Sequence, residues 1–154
     1  MSEERAAAVE ARALRDYLRR RIPLAAAMDL DVLDAGAGSV LLSAPLAPNV
    51  NHRGTAFGGS VSALAILSAW SLLHVRLHDE SIESRLVIQR NVMEYLQPID
   101  GTFTARATLA TAESWDPFVR LLRRRGKARI AVLASLEYGG AVAGRFEGEF
   151  VALT

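Results

Sequence analysis

The sequence lacks cysteine altogether, which excludes disulfide bonds, thiolate metal sites and cysteine nucleophiles together. It also lacks a strong charge imbalance, because its net charge is +1 and its charges are evenly spread. No global field therefore points to nucleic acid or to an anionic membrane as a partner. The first 21 residues have no apolar core followed by a cleavage pattern, so they do not read as a secretory signal. These absences lead us to expect a cytoplasmic protein.

A further absence concerns one segment, since no Asp, Glu, Lys or Arg lies between Gly54 and Val75. A helix that is apolar or small on every side must be buried on every side. The stretch is also long enough to span a bilayer. However, four serines and His74 dilute it. A soluble domain that engulfs this helix is the better interpretation.

What is present predicts a single domain over residues 1–154, because 154 residues with 51% hydrophobic content suffice for one core. The pattern predicts an amphipathic helix at residues 3–21, stopped near Pro23, and a central helix at about 59–76. Two short strands precede the central helix and four follow it, the last two as a hairpin across Gly139-Gly140. The predicted strands are 28–34, 39–44, 86–97, 101–112, 128–138 and 142–153. A short basic segment around 118–125 connects two of them.

This order predicts an α+β fold in which a curled antiparallel β-sheet surrounds one buried central helix, with an extra N-terminal helix outside. That is the hot-dog arrangement, and we expect it to form at least side-by-side homodimers. The central helix begins at a Gly-Gly pair, beside Asn49, Asn51 and His52. Free N–H groups at such a helix start would bind an oxygen that carries negative charge.

The segment APLAPNVNHRGTAFGGS, residues 44–60, resembles the signature of the YiiD C-terminal-like domains, a branch of the hot-dog thioesterase superfamily. Tyr95-Leu96-Gln97-Pro98 resembles the third strand of the same family. The likeness extends from about residue 22 to the C-terminus. It implies an enzyme that acts on acyl thioesters of CoA or acyl carrier protein. Members of this branch include thioesterases and malonyl-carrier-protein decarboxylases that help to start fatty-acid biosynthesis.

The resemblance also implies catalytic residues. In the wider superfamily an Asn or Gln lies six residues before a His-Gly-Gly, whose first glycine N–H binds the thioester oxygen. Phe57-Gly58-Gly59 occupies that position here and Asn51 lies six residues before it, so Asn51 and Gly58 are the catalytic candidates. The superfamily places an Asp or Glu seven residues beyond the second glycine. This chain has Ile66 there, so the catalytic carboxylate is missing.

The missing carboxylate bears on the reaction. Hydrolysis of a thioester needs an activated water or a nucleophile as well as an oxyanion hole. Decarboxylation of a malonyl thioester needs no general base in its first step, only donors for the enolate and weakly solvating surroundings for the carboxylate. The sequence therefore favours conversion of malonyl-ACP to acetyl-ACP. The alternatives are an acyl-CoA or acyl-ACP thioesterase, with a carboxylate from the other subunit or from Glu94, and a non-catalytic acyl-thioester-binding module.

Around the two catalytic candidates we predict a set of substrate-binding residues: Asn49, His52, Thr55, Phe57, Gly59 and Ser60. Several of them have a structural alternative. Asn49 would brace a turn, His52 would be loop scaffolding, and Thr55 and Ser60 would cap the helix start.

Six cations lie within residues 120–129. We interpret Arg123, Arg124, Arg125 and Lys127 either as a solvated face or as a patch that binds the phosphates of CoA or phosphopantetheine, or an acidic carrier protein. His74 and His78 have the i, i+4 spacing of a metal-chelating pair, but the sequence offers no third ligand beside them, so we expect no metal site. We expect no cofactor beyond the phosphopantetheine arm that the substrate carries.

Overall fold

A computed structural model of the chain describes residues 2–154, apart from the side chain of Ala7. The helices are α1 (Glu3–Arg21), α2 (Pro23–Ala27), α3 (Gly58–Asp79) and α4 (Trp115–Arg125). The strands are β1 (Asp31–Ala35), β2 (Val40–Ala44), β3 (Arg85–Tyr95), β4 (Phe103–Leu109), β5 (Lys127–Tyr138) and β6 (Ala141–Leu153). The predicted order of two strands, a central helix and four strands is confirmed.

One six-stranded sheet has the order β1-β2-β4-β5-β6-β3, and every neighbouring pair is antiparallel. The sheet curls around α3, which contacts every strand from β2 to β6. Alternation along β4 places Phe103, Ala105 and Ala107 in the core, as its sequence pattern predicts. The predicted α+β fold with a curled sheet around a long helix is thus confirmed.

The central helix α3 is long and apolar enough to cross a bilayer by length and composition alone, but 56% of its apolar window is buried inside the domain. It is therefore a core helix, as predicted. The prediction that it is buried on every side is wrong for one stripe. The members of this stripe are only half-buried, because the sheet of a single chain covers the helix incompletely: Ser62, Ala63, Ile66, Trp70 and His74.

The basic segment around residues 118–125, predicted as a connection between strands, is the amphipathic helix α4. Its buried residues follow the spacing i, i+3, i+4 and i+7, which is one face of a helix: Trp115, Phe118, Val119 and Leu122. Gly126 ends the helix in the left-handed conformation, with φ of 73°. The short helix α2 was also not predicted; Pro23 starts it at a position where proline fits.

The C-terminal end of α3 is closed by side chains from α3 itself and from α4. Arg76 donates to the Ala37 carbonyl at 2.6 Å and lies 4.4 Å from the centroid of the Trp115 ring. Glu80 accepts from the Trp115 indole at 3.3 Å and from Arg123 at 3.3 Å. Arg76 and His78 in the last turn of α3 also stabilise the negative end of the helix dipole.

Candidate active site

The N-terminal end of α3 is uncapped. Phe57 is the N-cap residue, its backbone is extended, and no side chain accepts from the first turn. The Ser60 and Val61 N–H groups both donate to the Phe57 carbonyl. Within residues 2–154, the Gly58 and Gly59 N–H groups find no backbone acceptor. Two free donors with partial positive charge therefore lie side by side at this helix end.

The alternative role of Thr55 and Ser60 as helix caps is wrong, because the Thr55 hydroxyl is used elsewhere and no side chain caps the helix. The Asn51 side chain donates to Thr55 Oγ1 at 2.9 Å and, more weakly, to the Ala56 carbonyl at 3.5 Å. Its Oδ1 accepts from the Arg53 N–H at 2.8 Å and from the Thr55 N–H at 3.1 Å. All the polar groups of Asn51 are thus engaged within its own loop.

These bonds hold the loop that positions the helix start. The Phe57 N–H donates to the Asn49 carbonyl at 2.7 Å, and the Ala56 N–H donates to the Ile99 carbonyl at 2.8 Å. Gly54 allows the tight turn of the loop with φ of 83°, in the left-handed region. Asn51 acts as the centre of this loop, and a direct contact with substrate would require it to exchange one of its present partners.

Asn49 is buried and braces two other segments. Its Nδ2 donates to the Met28 carbonyl at 3.0 Å and to the Pro45 carbonyl at 2.8 Å. Turning the amide over would not improve this arrangement, because both partners are acceptors. The structure therefore agrees with the bracing role that was the alternative for Asn49.

A cavity of about 400 Å³ lies beside Gly58, between the start of α3 and the end of β3. Its lining is apolar or uncharged: Thr55, Ala56, Gly58, Val61, Tyr95, Leu96, Gln97, Pro98, Ile99 and Ala143. The lining that the structure describes contains no Asp, Glu, Lys, Arg or His. A charge that develops inside this cavity would meet the helix end but no ionised side chain.

Tyr95 forms one wall of this cavity and was not predicted as a site residue. Its hydroxyl donates to the Gly58 carbonyl at 3.2 Å. A side-chain carbon at Gly58 would lie 3.5 Å from the Tyr95 ring, in ordinary contact. The motif Tyr95-Leu96-Gln97-Pro98 had carried part of the family resemblance, so its position in the sequence was the signal that could have marked it.

The two positions at which a carboxylate was considered lie outside the cavity. Ile66 is two helical turns beyond Gly59, about 10 Å along the axis, on the half-buried stripe of α3. Glu94 precedes Tyr95 on β3, and successive side chains of a strand point to opposite faces. Because Tyr95 faces α3, Glu94 projects from the other face of the sheet. Within one protomer, Glu94 does not supply the missing base.

The other predicted substrate-binding residues lie outside the cavity lining. Phe57 is 57% exposed, and its ring lies over Gly59 so closely that a side chain at Gly59 would collide with it. Ser60 is half-buried in the first turn of α3, and His52 is exposed on the loop. Phe57 and Ser60 flank the two glycines in the sequence, but none of these side chains lines the cavity.

The predicted basic patch lies at the other end of the molecule. Arg123 is bonded to Glu80, which directly follows α3. A helix of 22 residues is about 33 Å long, so the patch and the Gly58 cavity of one protomer are separated by roughly that distance. Arg124, Arg125 and Lys127 are exposed near the same end. The structure therefore does not bring the patch and the helix start together within one chain.

An aromatic cluster occupies the C-terminal half of the half-buried stripe on α3. The His74 ring lies 4.7 Å from Trp70 and 4.9 Å from Tyr17, with near-parallel planes. The Tyr17 and Trp70 ring centroids are 6.3 Å apart, so the three rings form one cluster. Burial, followed by the charge of His78, lowers the pKa of His74.

A family model described as "Putative thioesterase (yiiD_Cterm)" matches residues 11–154, nearly the whole chain. The chain belongs to this family. The resemblance seen in residues 44–60 is thus confirmed and extends further towards the N-terminus than predicted, since it includes half of α1. Membership places the chain among the hot-dog proteins of the thioesterase superfamily.

Solved structures show the same fold. The protein OLEI01261 of Chlorobaculum tepidum, of unknown function, is 25% identical with a TM-score of 0.88, over 94% of each chain. PA5026 of Pseudomonas aeruginosa, described as a probable thioesterase, is 21% identical with a TM-score of 0.80, over 92% of this chain and 94% of its own. The thioesterase HI1161 of Haemophilus influenzae is 13% identical with a TM-score of 0.73, over 94% of this chain and 90% of its own. At these identities the likeness supports the fold and carries no reaction with it.

Proposed function

We propose that the chain is an enzyme that decarboxylates a malonyl thioester, carried by acyl carrier protein or CoA, to the acetyl thioester. One observation carries the proposal: the free N–H groups of Gly58 and Gly59 lie next to an uncharged cavity. The family supplies the substrate class, because thioesterases act on acyl thioesters. The site supports decarboxylation, since it can stabilise negative charge on oxygen and its described lining contains no base.

The first step, which is cleavage of the bond to the carboxylate, needs no base. The bond between the α-carbon and the carboxylate breaks, and its electron pair forms the enolate of the thioester as carbon dioxide leaves. The enolate oxygen carries the new charge, which the Gly58 N–H stabilises, with help from Gly59 and the helix dipole. The apolar lining solvates the departing carboxylate weakly, which favours its loss. Asn51 acts here as a positioning residue, because its bonds fix the loop before the helix.

Hydrolysis of an acyl-CoA or acyl-ACP is the second candidate function, and the description of the family favours it. The same two N–H groups would stabilise the tetrahedral oxyanion. The attacking water would need a base. The cavity lining that the structure describes has no residue for that role. Hydrolysis therefore requires a carboxylate from a second subunit, and for this reason we place it second.

Malonyl, acetyl and hexanoyl thioesters, each offered on CoA and on acyl carrier protein, separate these functions. We expect only the malonyl substrates to give carbon dioxide and an intact acetyl thioester. Mass spectrometry measures both products. Release of free thiol from acetyl or hexanoyl thioesters would instead identify a hydrolase. Binding of these substrates without turnover would identify a non-catalytic binding module.

We also propose that the protein is a homodimer that pairs through β3. Within the described chain β3 pairs only with β6, so its other edge has unpaired backbone groups. Val87, Val92 and Tyr95 on this strand are each more than half exposed. A second copy would cover this edge and the half-buried stripe of α3. A mass near twice 16.7 kDa by light scattering is the expected result, and a monomer at micromolar concentration would contradict it.

The exposed basic patch supports a carrier protein as the partner. The proposed reaction uses no cofactor other than the phosphopantetheine arm of the substrate. We place this reaction in the cytoplasm. Because α3 and β3 run antiparallel, a two-fold pairing of β3 strands would bring the patch of one protomer towards the Gly58 end of its partner. Reversing the charge of Arg124 and Arg125 should then raise the KM for malonyl-ACP but leave that for malonyl-pantetheine unchanged. An equal effect on both substrates would contradict this role.

A further inference from the structure

The proposed decarboxylation leaves one chemical requirement unassigned, because the α-carbon of the enolate must take up a proton. Three side chains in the cavity lining carry a polar hydrogen: Thr55, Tyr95 and Gln97. An alcohol and a carboxamide are very weak acids, whereas a phenol is a much stronger one. The chemistry of the lining therefore leaves Tyr95 as the one effective acid among these residues.

The geometry of Tyr95 suits this role. It is the last residue of β3, and its hydroxyl lies 3.2 Å from the Gly58 carbonyl, while its ring lies against the Gly58 backbone. The phenol therefore contacts the residue whose N–H is the proposed oxyanion donor, and both residues line one cavity. In a thioester enolate the oxygen and the α-carbon are two bonds apart. A hydroxyl hydrogen can rotate from its present acceptor towards a bound substrate.

We propose that Tyr95 is a catalytic residue that protonates the α-carbon of the enolate; this role rests on the proposed decarboxylation. The enolate electron pair forms the new C–H bond with the phenol proton, the thioester carbonyl is restored, and tyrosinate remains. Tyr95 is 57% exposed, so water returns the proton to the phenolate before the next turnover. The net reaction takes up one solvent proton for each carbon dioxide and acetyl thioester that form, and no oxidant or metal is consumed.

Tyr95→Phe tests the role, because it removes the hydroxyl and keeps the ring against Gly58. Tyr138→Phe is the matched control; Tyr138 packs on Gly101, outside the cavity. Carbon dioxide from malonyl-ACP is followed through the first turnover by rapid quench and then in the steady state. We expect Tyr95→Phe to release the first equivalent at the wild-type rate and then to slow by about 10²-fold, the usual contribution of a positioned acid. Tyr138→Phe should match the wild type in both phases.

The outcomes separate this role from the proposed function itself. An unchanged steady-state rate in Tyr95→Phe would overturn the role of Tyr95. Equal slowing of the first turnover and the steady state would also overturn it, because a residue that only positions the substrate affects carbon–carbon cleavage as well. If the wild-type protein releases no carbon dioxide from malonyl-ACP, the proposed function fails and the role fails with it. Thermal unfolding of both variants checks that each is folded.

Discussion

The two ends of helix α3 differ in how their free backbone groups are satisfied. At the C-terminal end the following turn bonds back to Arg76 and Leu77, and Glu80 is held by Trp115 and Arg123. At the N-terminal end the Gly58 and Gly59 N–H groups have no protein acceptor in residues 2–154, and no side chain caps them. One end is closed by the protein, and the other is left open.

This difference indicates where the helix does chemistry. Helix termini are normally satisfied by capping side chains or water, and Ser, Thr or Asp at the N-cap is the usual solution. Here Phe57 occupies the N-cap position, and the nearby Asn51 and Thr55 bond to each other within the loop. The loop is therefore rigid while the helix start stays free for an anionic ligand. Four changes test the contrast between the two ends.

The largest effect is expected at Gly58. Gly58→Pro removes the N–H donor, and proline fits both the first position of a helix and the extended backbone of Phe57 before it. We expect turnover to fall by about 10²–10³, the usual effect of losing one oxyanion donor. Gly58→Ala is the control, since it keeps the N–H and places its methyl in ordinary contact with Tyr95. Equal loss in both variants would mean that space, and not the N–H, matters at this position.

The next effect is expected at Asn51. Asn51→Ala removes the side-chain bonds to the loop, and we expect the free energy of unfolding to fall by roughly 1–3 kcal/mol. Turnover should fall as well, because the helix start is no longer held. Asn51→Asp keeps both acceptor contacts to the Arg53 and Thr55 N–H groups and should retain most of the stability. Urea denaturation measures both variants, and a fully stable Asn51→Ala would contradict the positioning role.

A smaller effect is expected at the closed end. Glu80→Ala removes the acceptor of Trp115 and Arg123. These partners are partly exposed, and we expect a loss of less than about 1 kcal/mol in the free energy of unfolding. Decarboxylation should be unchanged, because Glu80 lies about 33 Å from Gly58. If this variant lost turnover while it remained folded, the separation of a structural end from a functional end would be wrong.

The smallest effect concerns pH. Since the pKa of His74 is lower in the folded chain than its ordinary 6.5, the unfolded chain binds more protons below that pH. The free energy of unfolding should therefore fall as the pH drops through about 6.5. Glu83, Glu10 and Asp79 line the cavities beside this ring together with Arg21 and His78, but burial and the charge of His78 set the sign, because the pKa of His74 is lowered. His74→Phe keeps the ring cluster, so denaturation from about pH 7.5 to about pH 5 should show a weaker pH dependence than in the wild type.

The fold was predictable from the sequence because its signals are local. The uncharged stretch after Gly58 marks a helix that is buried on most sides, and the alternation of Phe103, Ala105 and Ala107 reflects burial of one face of a strand. Helix α4 was missed although its buried residues have helical spacing, because its many arginines dominate the segment. The half-buried stripe on α3 could not be predicted, since it depends on how far the sheet of one chain reaches around the helix.

The candidate site was predictable only in part. The Gly-Gly pair marked the open helix end, because glycine before an apolar helix has few other roles. The hydrogen bonds of Asn51 within its own loop could not be predicted, since the side-chain amide of an asparagine can bond either to a substrate or to the backbone of a turn. Tyr95 enters the site from β3 through a long-range contact with Gly58. Contacts of this kind leave no spacing in a single sequence, and therefore only the structure places Tyr95 in the cavity.

The central claim is that the open end of α3 stabilises an enolate. Turnover of a malonyl thioester in heavy water, followed by mass spectrometry at early times, tests it most directly. The account predicts an acetyl thioester with one deuterium newly bound at the α-carbon for each carbon dioxide released, and no free thiol. Free thiol in proportion to the substrate consumed, with malonate as the other product, would show that the site activates water and would contradict the account.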